Sequence, residues 1–513
     1  MDKNFYITTP IYYPSAKPHM GHAYSSIIAD FFARFKRIDG FKVHFLTGTD
    51  EHGLKIQRSA EKKGLKPLQF CDEISKTFRN LSEILNLTNT DFIRTTESRH
   101  KTSVQHLWKE LEKNDDIYLS KYSGWYSVSD EAFYSEDEIE EINGSKVATS
   151  SKSTVEWVDE ESYFFRLSKW EKPLLEFYEK NPGFISPESR KNEVVSFVKS
   201  GLKDLSISRK SFSWGIKVPG NENHVIYVWL DALTNYISAL NYPNTKEKLF
   251  KSFWPASIHL IGKDILRFHA VYWPAFLLAA KIDLPKKVYG HGWILSGDEK
   301  MSKSKGNILD PIEIVNEYGL DSLRYYLIKE VSFGNDGNIS QERLEDCINS
   351  DLANNFGNLC QRVTAFAIKN CDSKIPKKIE FNDDDYKILN NYKDNIELIR
   401  EKIDNQDINF YINFIVNSLF EANKYFNDQE PWNKKEDLLR LNTIVFTTLE
   451  IVRKVSFLLY PIIPESSIKA LKIFGINEAD INLSSLENND FLSKVDKIYK
   501  IDILFKKTEK KDD

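Results

Sequence analysis

The sequence contains little cysteine, glycine and proline, and neither sign of charge predominates. Four cysteines in 513 residues, with no C-x-x-C pair among them, exclude a disulfide framework and indicate a reducing compartment. With 21 glycines and 17 prolines, long loops and low-complexity linkers should be few. The formal net charge of −5 excludes a wholly basic nucleic-acid coat protein but leaves room for a local basic patch.

Long apolar runs are also lacking. The first residues, MDKNFYITTPIYYP, have neither the apolar core nor the small-residue cleavage site of a secretory signal. The longest apolar run, 270–280, contains Pro274 and is too short to span a bilayer, so it predicts a buried helix. These absences favour a cytoplasmic protein that does not bind membranes.

The N-terminal part of the chain has the pattern of a parallel α/β sheet. Residues 5–13 are mostly β-branched and aromatic, which predicts a buried strand, and residues 42–47 predict a second one. Between them, apolar residues recur at steps of three and four and predict a helix that ends at Gly40; they are Met20, Ala23, Ile27, Phe31, Phe35 and Ile38. A strand, a helix and a strand at this spacing form a βαβ unit, which requires parallel strands.

The rest of the chain divides into an irregular middle and a helical end. Over 116–225, short aromatic stretches alternate with acidic residues, which indicates an insertion of mixed strands and helices. The α/β pattern returns at 224–232 and 257–265, a helix over 264–280 and a strand near Val288 follow, and from about 340 the pattern is wholly helical. The predicted segments are 1–115, 116–225, 226–290, 291–345 and 346–505, with a charged tail at 506–513.

A first candidate site lies at the start of the first helix. Pro18 marks the helix start, and His19, Gly21 and His22 occupy its first turn. A helix N-terminus offers backbone N–H groups and a positive dipole end, the two imidazoles point the same way, and the glycine lets a ligand approach the backbone. These features suit a polyphosphate, but taken alone the pattern favours two surface histidines on an amphipathic helix.

A second candidate site is a short basic segment. Lys300, Lys303 and Lys305 lie within six residues, among serines and between Gly297 and Gly306. A flexible loop of this kind can close its lysines over phosphate charge that grows in a transition state. Taken alone, such a charge cluster is more often an ordinary solvated loop.

Together, the segments HMGH and KMSKS resemble the two signature sequences of the class I aminoacyl-tRNA synthetases. The resemblance implies a Rossmann-like catalytic domain split by a connective insertion, the use of ATP and Mg²⁺, and formation of an aminoacyl-adenylate with release of pyrophosphate. It implies His19, His22, Lys300 and Lys303 as the catalytic residues. The implied ATP-binding residues are His19, Gly21, His22, Lys300, Met301, Ser302, Lys303 and Ser304.

The flanking residues resemble one family within this class. The segments ITTPIYYP, GTDEHG, YVWLDALTNY, IGKDILRFHAVYWPA and HGWILSGDEKMSKSKGN look like those of the methionyl-tRNA synthetases, in order and over nearly the whole chain. The implied substrates are L-methionine and both the initiator and the elongator tRNA(Met).

A methionine site needs an anion for the α-ammonium group and an apolar slot for the thioether. Asp50 follows a predicted parallel strand, where open α/β sheets place ligands, and is the candidate anion. By resemblance the slot is lined by Ile11, Tyr13, Trp229, Ala232, Leu233, Tyr236, Ile265 and His269. Leu233 stands where many relatives have proline, and without the resemblance Trp229 would be assigned to the core.

Many members of the resembled family carry cysteine knuckles for zinc in the connective insertion. The corresponding segment here, YSGWYSVSDEAFYSEDEIEE, has no cysteine, and Asp130 and Glu131 alone do not make a tetrahedral zinc site. We therefore expect no structural zinc and expect aromatic packing in its place, by Trp125, Tyr126, Phe133 and Tyr134.

The helical end contains the candidate tRNA-binding residues. Asn355, Asn358 and Arg362 are spaced to share one helix face, and such a polar stripe can hydrogen-bond single-stranded bases, although by spacing alone a solvated face is the better interpretation. By resemblance, Asn358 and Arg362 read the CAU anticodon and Trp432 stacks on a base, in an anticodon-binding domain at 346–505.

Other functions remain open at this point. A class I synthetase for leucine, isoleucine or valine is disfavoured because no segment is long enough for an editing domain. A non-catalytic tRNA-binding relative is disfavoured by the intact signatures, and a small-molecule adenylyltransferase by the helical domain. Because the chain ends soon after the bundle, where some relatives append a dimerising domain, we expect a monomer.

Overall fold

The computed structural model describes residues 3–14, 17–130, 132–142, 144–296, 299–300 and 309–508. Its strands are β1 (Asn4–Thr8), β2 (Lys42–Thr49), β3 (Asp91–Arg94), β4 (Ile117–Ser127), β5 (Ala132–Tyr134), β6 (Ile139–Ile142), β7 (Ser145–Ala148), β8 (Glu156–Phe165), β9 (Ile185–Ser186), β10 (Leu205–Ser206), β11 (Ser208–Arg209), β12 (Lys217–Val218), β13 (Asn221–Ile226), β14 (Ile258–Gly262), β15 (Val288–His291), β16 (Ile294–Ser296), β17 (Glu299–Lys300) and β18 (Gly337–Asn338).

The α-helices are α1 (Met20–Ile38), α2 (Leu54–Lys62), α3 (Pro67–Ile84), α4 (Ser98–Lys113), α5 (Glu171–Lys180), α6 (Glu188–Lys199), α7 (Val228–Leu233), α8 (Asn235–Ser238), α9 (Lys248–Phe253), α10 (Trp273–Ala279), α11 (Pro311–Tyr318), α12 (Leu320–Glu330), α13 (Gln341–Cys347), α14 (Asn358–Asn370), α15 (Asp383–Asp404), α16 (Ile408–Asp428), α17 (Leu438–Leu459) and α18 (Pro464–Leu471). Two π-helices, Phe268–Tyr272 and Ile348–Gly357, continue into α10 and α14. Over the part of the chain described here, no helix combines the length and the apolarity needed to cross a bilayer.

The chain forms two compact units. The sheet unit comprises residues 4–18 and 43–291, and the helical unit comprises residues 1–3, 19–42 and 292–513. The first helix, α1, therefore groups with the C-terminal half of the chain, although the two strands on either side of it belong to the sheet unit.

The sheet unit is built on a six-stranded sheet in the order β3-β2-β1-β14-β15-β9. The pairs β1–β14, β14–β15, β15–β9 and β2–β3 are parallel, as the βαβ pattern predicts. The strand order reverses at the centre, because β2 lies on one side of β1 and β14 on the other. Ligands in open α/β sheets bind at such a reversal, outside the carboxyl ends of the strands.

The core of the sheet unit is formed by large apolar side chains. Trp108, Trp273 and Phe276 are fully buried, and Phe276 meets Phe165 edge to face at 4.8 Å between ring centroids. The apolar run over 270–280 is buried here within the second half of the π-helix and α10, as predicted.

The insertion contains two antiparallel sheets, in the orders β10-β8-β4-β5 and β11-β13-β12, and the β6–β7 hairpin. Two strands differ from the sequence-based expectation. β9 lies within the predicted insertion but joins the edge of the six-stranded sheet. The strand expected over 224–232 ends at Ile226, lies in a small antiparallel sheet, and is followed directly by α7.

The helical unit surrounds α17, which is buried on all sides over most of its length. Here α1 is anchored by buried ion pairs: Asp30 accepts from Arg34 and from Arg324 of α12, both at 2.7 Å. The four cysteines of the chain, all within the described residues, are free thiols.

Candidate functional site

The HMGH segment forms the N-terminal cap of α1. His19 is the capping residue, and its Nδ1 accepts from the backbone N–H of Gly21 at 3.1 Å. In return, Nδ1 of His22 accepts from the backbone N–H of His19 at 3.0 Å. Because each Nδ1 is an acceptor, each neutral imidazole carries its proton on Nε2.

The two imidazoles lie against each other, with ring centroids 3.8 Å apart. Burial and the neighbouring His19 lower the pKa of His22 well below its ordinary value. His22 is therefore a neutral Nε2–H donor at physiological pH. Glycine at position 21 leaves room for the His19 ring, since a Cβ there would lie 3.0 Å from Cε1 of His19 and the ring would have to shift.

The second motif begins at the end of a β-hairpin in the same unit. Lys300 ends β17, which pairs antiparallel with β16 through the Leu295–Lys300 register. Strand β16 in turn contacts α1, so the hairpin lies beside the helix that carries the histidines. Met301, Ser302, Lys303 and Ser304 lie outside the described residues.

In the sheet unit, the predicted methionine-site residues follow the carboxyl ends of adjacent strands. Ile11 and Tyr13 follow β1, Asp50 follows β2, and Ile265 follows β14. Asp50 is buried, and its backbone N–H donates to the carbonyl of Tyr12 at 2.9 Å. Because the strands are parallel, these residues lie at one edge of the sheet.

The remaining slot residues form an aromatic wall. Trp229 stacks on Phe268, with centroids 3.7 Å apart and an interplanar angle of 6°, and it meets His269 edge to face at 6.3 Å. Ala232 and Leu233 are buried on α7, the short helix that also carries Trp229. The sequence analysis did not identify Phe268 as part of this wall; its position directly before His269 could have indicated it.

A hydrogen-bond chain fixes the protonation of the wall. His269 Nδ1 donates to the carbonyl of Ile265 at 3.0 Å, so its Nε2 accepts from the hydroxyl of Tyr236 at 2.7 Å. Burial lowers the pKa of His269 to about 4 and raises that of Tyr236 above its ordinary value. Both side chains are therefore neutral, which suits a wall that contacts an uncharged thioether.

A second buried histidine, also missed by the sequence analysis, supports Tyr236 from behind. His259 stacks on the Tyr236 ring at 4.1 Å, and its Nδ1 lies 2.9 Å from Thr8 Oγ1. Tyr6 donates from its hydroxyl to the Tyr236 carbonyl at 2.8 Å. The Tyr236 ring and backbone are thus fixed independently of its hydroxyl.

Two buried titratable side chains, Glu51 and His52, follow Asp50 in the GTDEHG loop. Glu51 accepts from Arg94 at 2.6 and 3.0 Å and from the hydroxyls of Thr49 and Thr96. The next residue, His52, contacts Asp231 at 2.6 Å, and Asp231 also contacts His100 at 2.7 Å. The sequence analysis did not identify these partners; Glu51, His52 and Asp231 lie inside the quoted motifs, whereas His100 has no local signal.

In the helical unit, two of the predicted anticodon residues meet around one ring. The Arg362 guanidinium lies 5.5 Å from the Phe426 ring centroid and donates to Asn427 Oδ1 at 2.6 Å. Trp432 approaches the same ring edge-on at 6.2 Å and is 40% exposed. Phe426 and Asn427 had no signal in the sequence.

The asparagines lie nearby in the chain but not in one regular helix. Asn355 belongs to the π-helix Ile348–Gly357, whereas Asn358 is exposed at the start of α14. A shared face by spacing requires one regular α-helix, but Asn355 lies in a π-helix and only Asn358 and Arg362 lie in α14. Asn355 is held by Asn423, whose amide donates to its Oδ1 at 2.7 Å.

In the connective insertion, a carboxylate is held by hydroxyls. Asp130 accepts from Tyr134 at 2.7 Å and from Ser151 and Ser153. Trp125 packs edge-on against Trp157 and donates to Glu136 at 2.9 Å, and Tyr126 is buried. Glu131 and the Phe133 side chain lie outside what the structure describes, and within the described residues no group of three or more His, Cys, Asp or Glu is placed to hold a metal.

Comparison with known proteins identifies the family. The sequence model described as "tRNA synthetases class I (M)" matches residues 5–145 and 140–364. The chain is 51% identical to the methionine–tRNA ligase of Brucella suis, covering 92% of each chain. It is 48% identical to that of Rickettsia conorii, covering 99% of this chain and 100% of the relative.

Solved structures give the same result. The fold matches Mycobacterium tuberculosis methionyl-tRNA synthetase in complex with methionyl-adenylate with a TM-score of 0.94 and 43% identity, covering 98% of this chain and 99% of that one. The expected resemblance, fold class and enzyme class are thereby confirmed. The chain belongs to the methionyl-tRNA synthetase family of the class I aminoacyl-tRNA synthetases.

Proposed function

We propose that this chain activates L-methionine with ATP, releases pyrophosphate, and transfers methionine to initiator and elongator tRNA(Met). The observation that carries the proposal is the pairing of full-length similarity to methionine–tRNA ligases with a neutral aromatic wall at the carboxyl ends of the parallel strands. The methionine carboxylate attacks the α-phosphate, so the enzyme's task is alignment and charge stabilisation rather than covalent catalysis.

On this proposal, the α1 cap binds the ATP phosphates. His19 and His22 present Nε2–H donors, because their Nδ1 atoms are occupied by backbone N–H groups, and Gly21 leaves room for the His19 ring. Neutral donors orient phosphate oxygens without a strong preference for one charge state. Lys300, Met301, Ser302, Lys303 and Ser304 remain proposed partners of the ATP, with Lys300 and Lys303 stabilising the departing pyrophosphate.

The proposed methionine site combines one carboxylate with an uncharged wall. Asp50 receives the α-ammonium group, and Trp229 and His269 contact the side chain. The other proposed contacts come from Ile11, Tyr13, Ala232, Leu233, Tyr236 and Ile265. Since a thioether is soft and apolar, a wall without a protonated imidazole accommodates it without a desolvation penalty.

Mg²⁺ is proposed to arrive bound to the triphosphate. In the described part of the chain no cluster of protein ligands is ready for it, so phosphate oxygens and water are expected to supply its coordination. When bound, it neutralises phosphate charge during the displacement.

The anticodon is proposed to bind in the helical unit at Asn358, Arg362 and Trp432. The Phe426 ring supports this, because it contacts both the Arg362 guanidinium, which can hydrogen-bond a base, and the Trp432 indole, on which a base can stack.

We retain a monomeric, cytoplasmic enzyme without structural zinc as part of the proposal. The hydroxyl cage around Asp130 and the Trp125–Trp157 pair are consistent with an insertion that needs no metal. Light scattering of the purified chain tests the monomer, and elemental analysis tests the metal content; more than trace zinc contradicts the proposal.

The activity itself is tested by methionine-dependent exchange of pyrophosphate into ATP, followed by charging of both tRNA(Met) species. Exchange should depend on methionine and not on leucine, isoleucine or valine. Exchange without any charging of tRNA would contradict the second half of the proposal.

A further inference from the structure

A buried chain of three titratable side chains links the two walls of the proposed methionine site. Asp231 is fully buried, and its two carboxylate oxygens contact His52 Nδ1 at 2.6 Å and His100 Nε2 at 2.7 Å. His100 is also fully buried, and only 3% of His52 is exposed. A carboxylate buried to this degree is retained only where its hydrogen-bonding capacity is met.

The residues of this chain lie next to proposed methionine-binding residues in the sequence. His52 comes two residues after Asp50, and Asp231 comes two residues after Trp229 and directly before Ala232. The His52–Asp231 contact therefore joins the loop after β2 to helix α7, although the two are 179 positions apart.

Hydrogen-bond accounting shows how Asp231 is held. Nε2 of His100 lies 2.7 Å from Asp231 and donates to its carboxylate, and Nδ1 lies 2.8 Å from the hydroxyl of Ser238. Ser238 is itself within 2.9 Å of the Thr234 carbonyl, so both ring nitrogens of His100 have a hydrogen-bond partner. Although burial by itself raises the pKa of Asp231, His52 and His100 outweigh it and hold the pKa below its ordinary value.

The loop has a second anchor at Glu51, between Asp50 and His52. Glu51 is fixed by Arg94, and its carbonyl accepts from Trp214 Nε1 at 2.6 Å. Two buried anchors therefore follow Asp50 directly: Glu51 fixes the loop to Arg94 at the end of β3, and His52 fixes it to α7. Only the His52 anchor ties the loop of Asp50 to the helix of Trp229.

We propose that Asp231, clamped between His52 and His100, is a positioning residue for methionine: it holds the ammonium-binding loop and the side-chain wall at a fixed separation. Asp231 does not touch substrate; it acts through Asp50 and Trp229. The inference rests on the proposed methionine site.

Loss of this positioning should weaken binding of methionine more than binding of ATP. Misplacement of a binding group by about 1 Å can cost on the order of 10²-fold in rate or affinity. In pyrophosphate exchange, Asp231→Asn is expected to raise KM for methionine about 10–100-fold and to change KM for ATP less than about threefold. A purely structural role would affect both substrates alike.

Two His52 variants isolate the hydrogen bond. Asn places its amide N–H near the position of a histidine Nδ1–H, so His52→Asn is expected to keep KM for methionine near the wild-type value, whereas His52→Ala raises it as Asp231→Asn does. His44→Asn is the matched control, because His44 is a buried histidine on β2 that bonds Thr90 instead.

The outcomes separate clearly. Parallel rises in both KM values, an unchanged Asp231→Asn variant, or equal behaviour of the two His52 variants would overturn the proposal. Absence of methionine-dependent exchange in the wild-type enzyme would instead overturn the proposed function.

Hydrogen exchange on the wild-type enzyme tests the link even if the variants fail to fold. Methionine is expected to slow amide exchange in residues 50–53 and, through the clamp, around His100 of α4, which is not a proposed methionine contact. Protection of one segment without the other would contradict the link.

Discussion

Replacing Trp432 by alanine should separate the two half-reactions of this enzyme. Trp432 lies in the short 3₁₀ helix Pro431–Asn433, is 40% exposed, and touches Phe426 edge-on. Stacking of one base on an aromatic side chain is worth ~1–3 kcal/mol, which corresponds to ~5–150-fold in affinity. We therefore expect kcat/KM for tRNA charging to fall by about that factor, mainly through KM for tRNA.

The same substitution should do little to the fold or to adenylate formation. Truncation of a fully buried tryptophan to alanine lowers the free energy of unfolding by about 3–5 kcal/mol. Because Trp432 is partly exposed and has an edge-on ring contact, we expect a loss of about 1–2 kcal/mol. Methionine-dependent pyrophosphate exchange should stay within about twofold of the wild type, because the proposed methionine residues lie in the sheet unit and the ring contact of Trp432 is with Phe426 of α16 and not with the α1 cap.

The assay compares charging and exchange for three proteins. Trp157→Ala is the matched control, since Trp157 is 53% exposed and also has an edge-on aromatic neighbour, Trp125, but lies in the connective insertion. It should leave exchange unchanged and should not reproduce the tRNA defect. A tRNA with an altered anticodon should be discriminated less strongly by Trp432→Ala than by the wild type, which tests the contact itself.

Two results would refute the reasoning. Equal loss of exchange and charging in Trp432→Ala would show that the residue acts on folding or on the synthetic site. An equal charging defect in Trp157→Ala would show that loss of an exposed indole, and not a base contact, is responsible.

Three further predictions concern the synthetic sites. Asp50→Asn should raise KM for methionine by about 10–150-fold in pyrophosphate exchange, since a hydrogen bond to a charged group is worth ~1.5–3 kcal/mol; an unchanged KM would remove Asp50 as the ammonium ligand. Gly21→Ala should lower kcat/KM for ATP about tenfold or more with methionine binding retained, because the new Cβ meets His19 at 3.0 Å and opens the cap; titration of ATP at saturating methionine checks this. Burial holds the pKa of His269 near 4, whereas a histidine of the unfolded chain has a pKa near 6.5, so the unfolded state binds more protons between these pH values. The free energy of unfolding should therefore fall as the pH drops from 6.5 to 4, with His269 contributing about 3 kcal/mol of that fall. In urea unfolding, His269→Gln should reduce this pH dependence by about the same amount.

The sequence by itself determined the chemistry and the class of fold. Periods of three and four residues predict α1, alternation of a strand, a helix and a strand requires a parallel sheet, and a strand end places Asp50 at its carboxyl edge. These inferences succeed because periodicity and turn residues act over a few neighbouring positions. The HMGH and KMSKS segments are local as well. Each alone favours an ordinary surface segment, but together they resemble the synthetase signatures, and that resemblance implies phosphate chemistry before any fold is known.

The tertiary structure alone decided which distant groups satisfy one another. Asp231 lies 131 positions from His100, and Arg362 lies 65 positions from Asn427, yet each pair shares a hydrogen bond. A buried charge needs a partner, but that partner can come from any element that packs against it. For the same reason, β9 joins the main sheet from within the insertion and α1 groups with the helical unit, because long-range burial, not local pattern, selects the neighbours of each element.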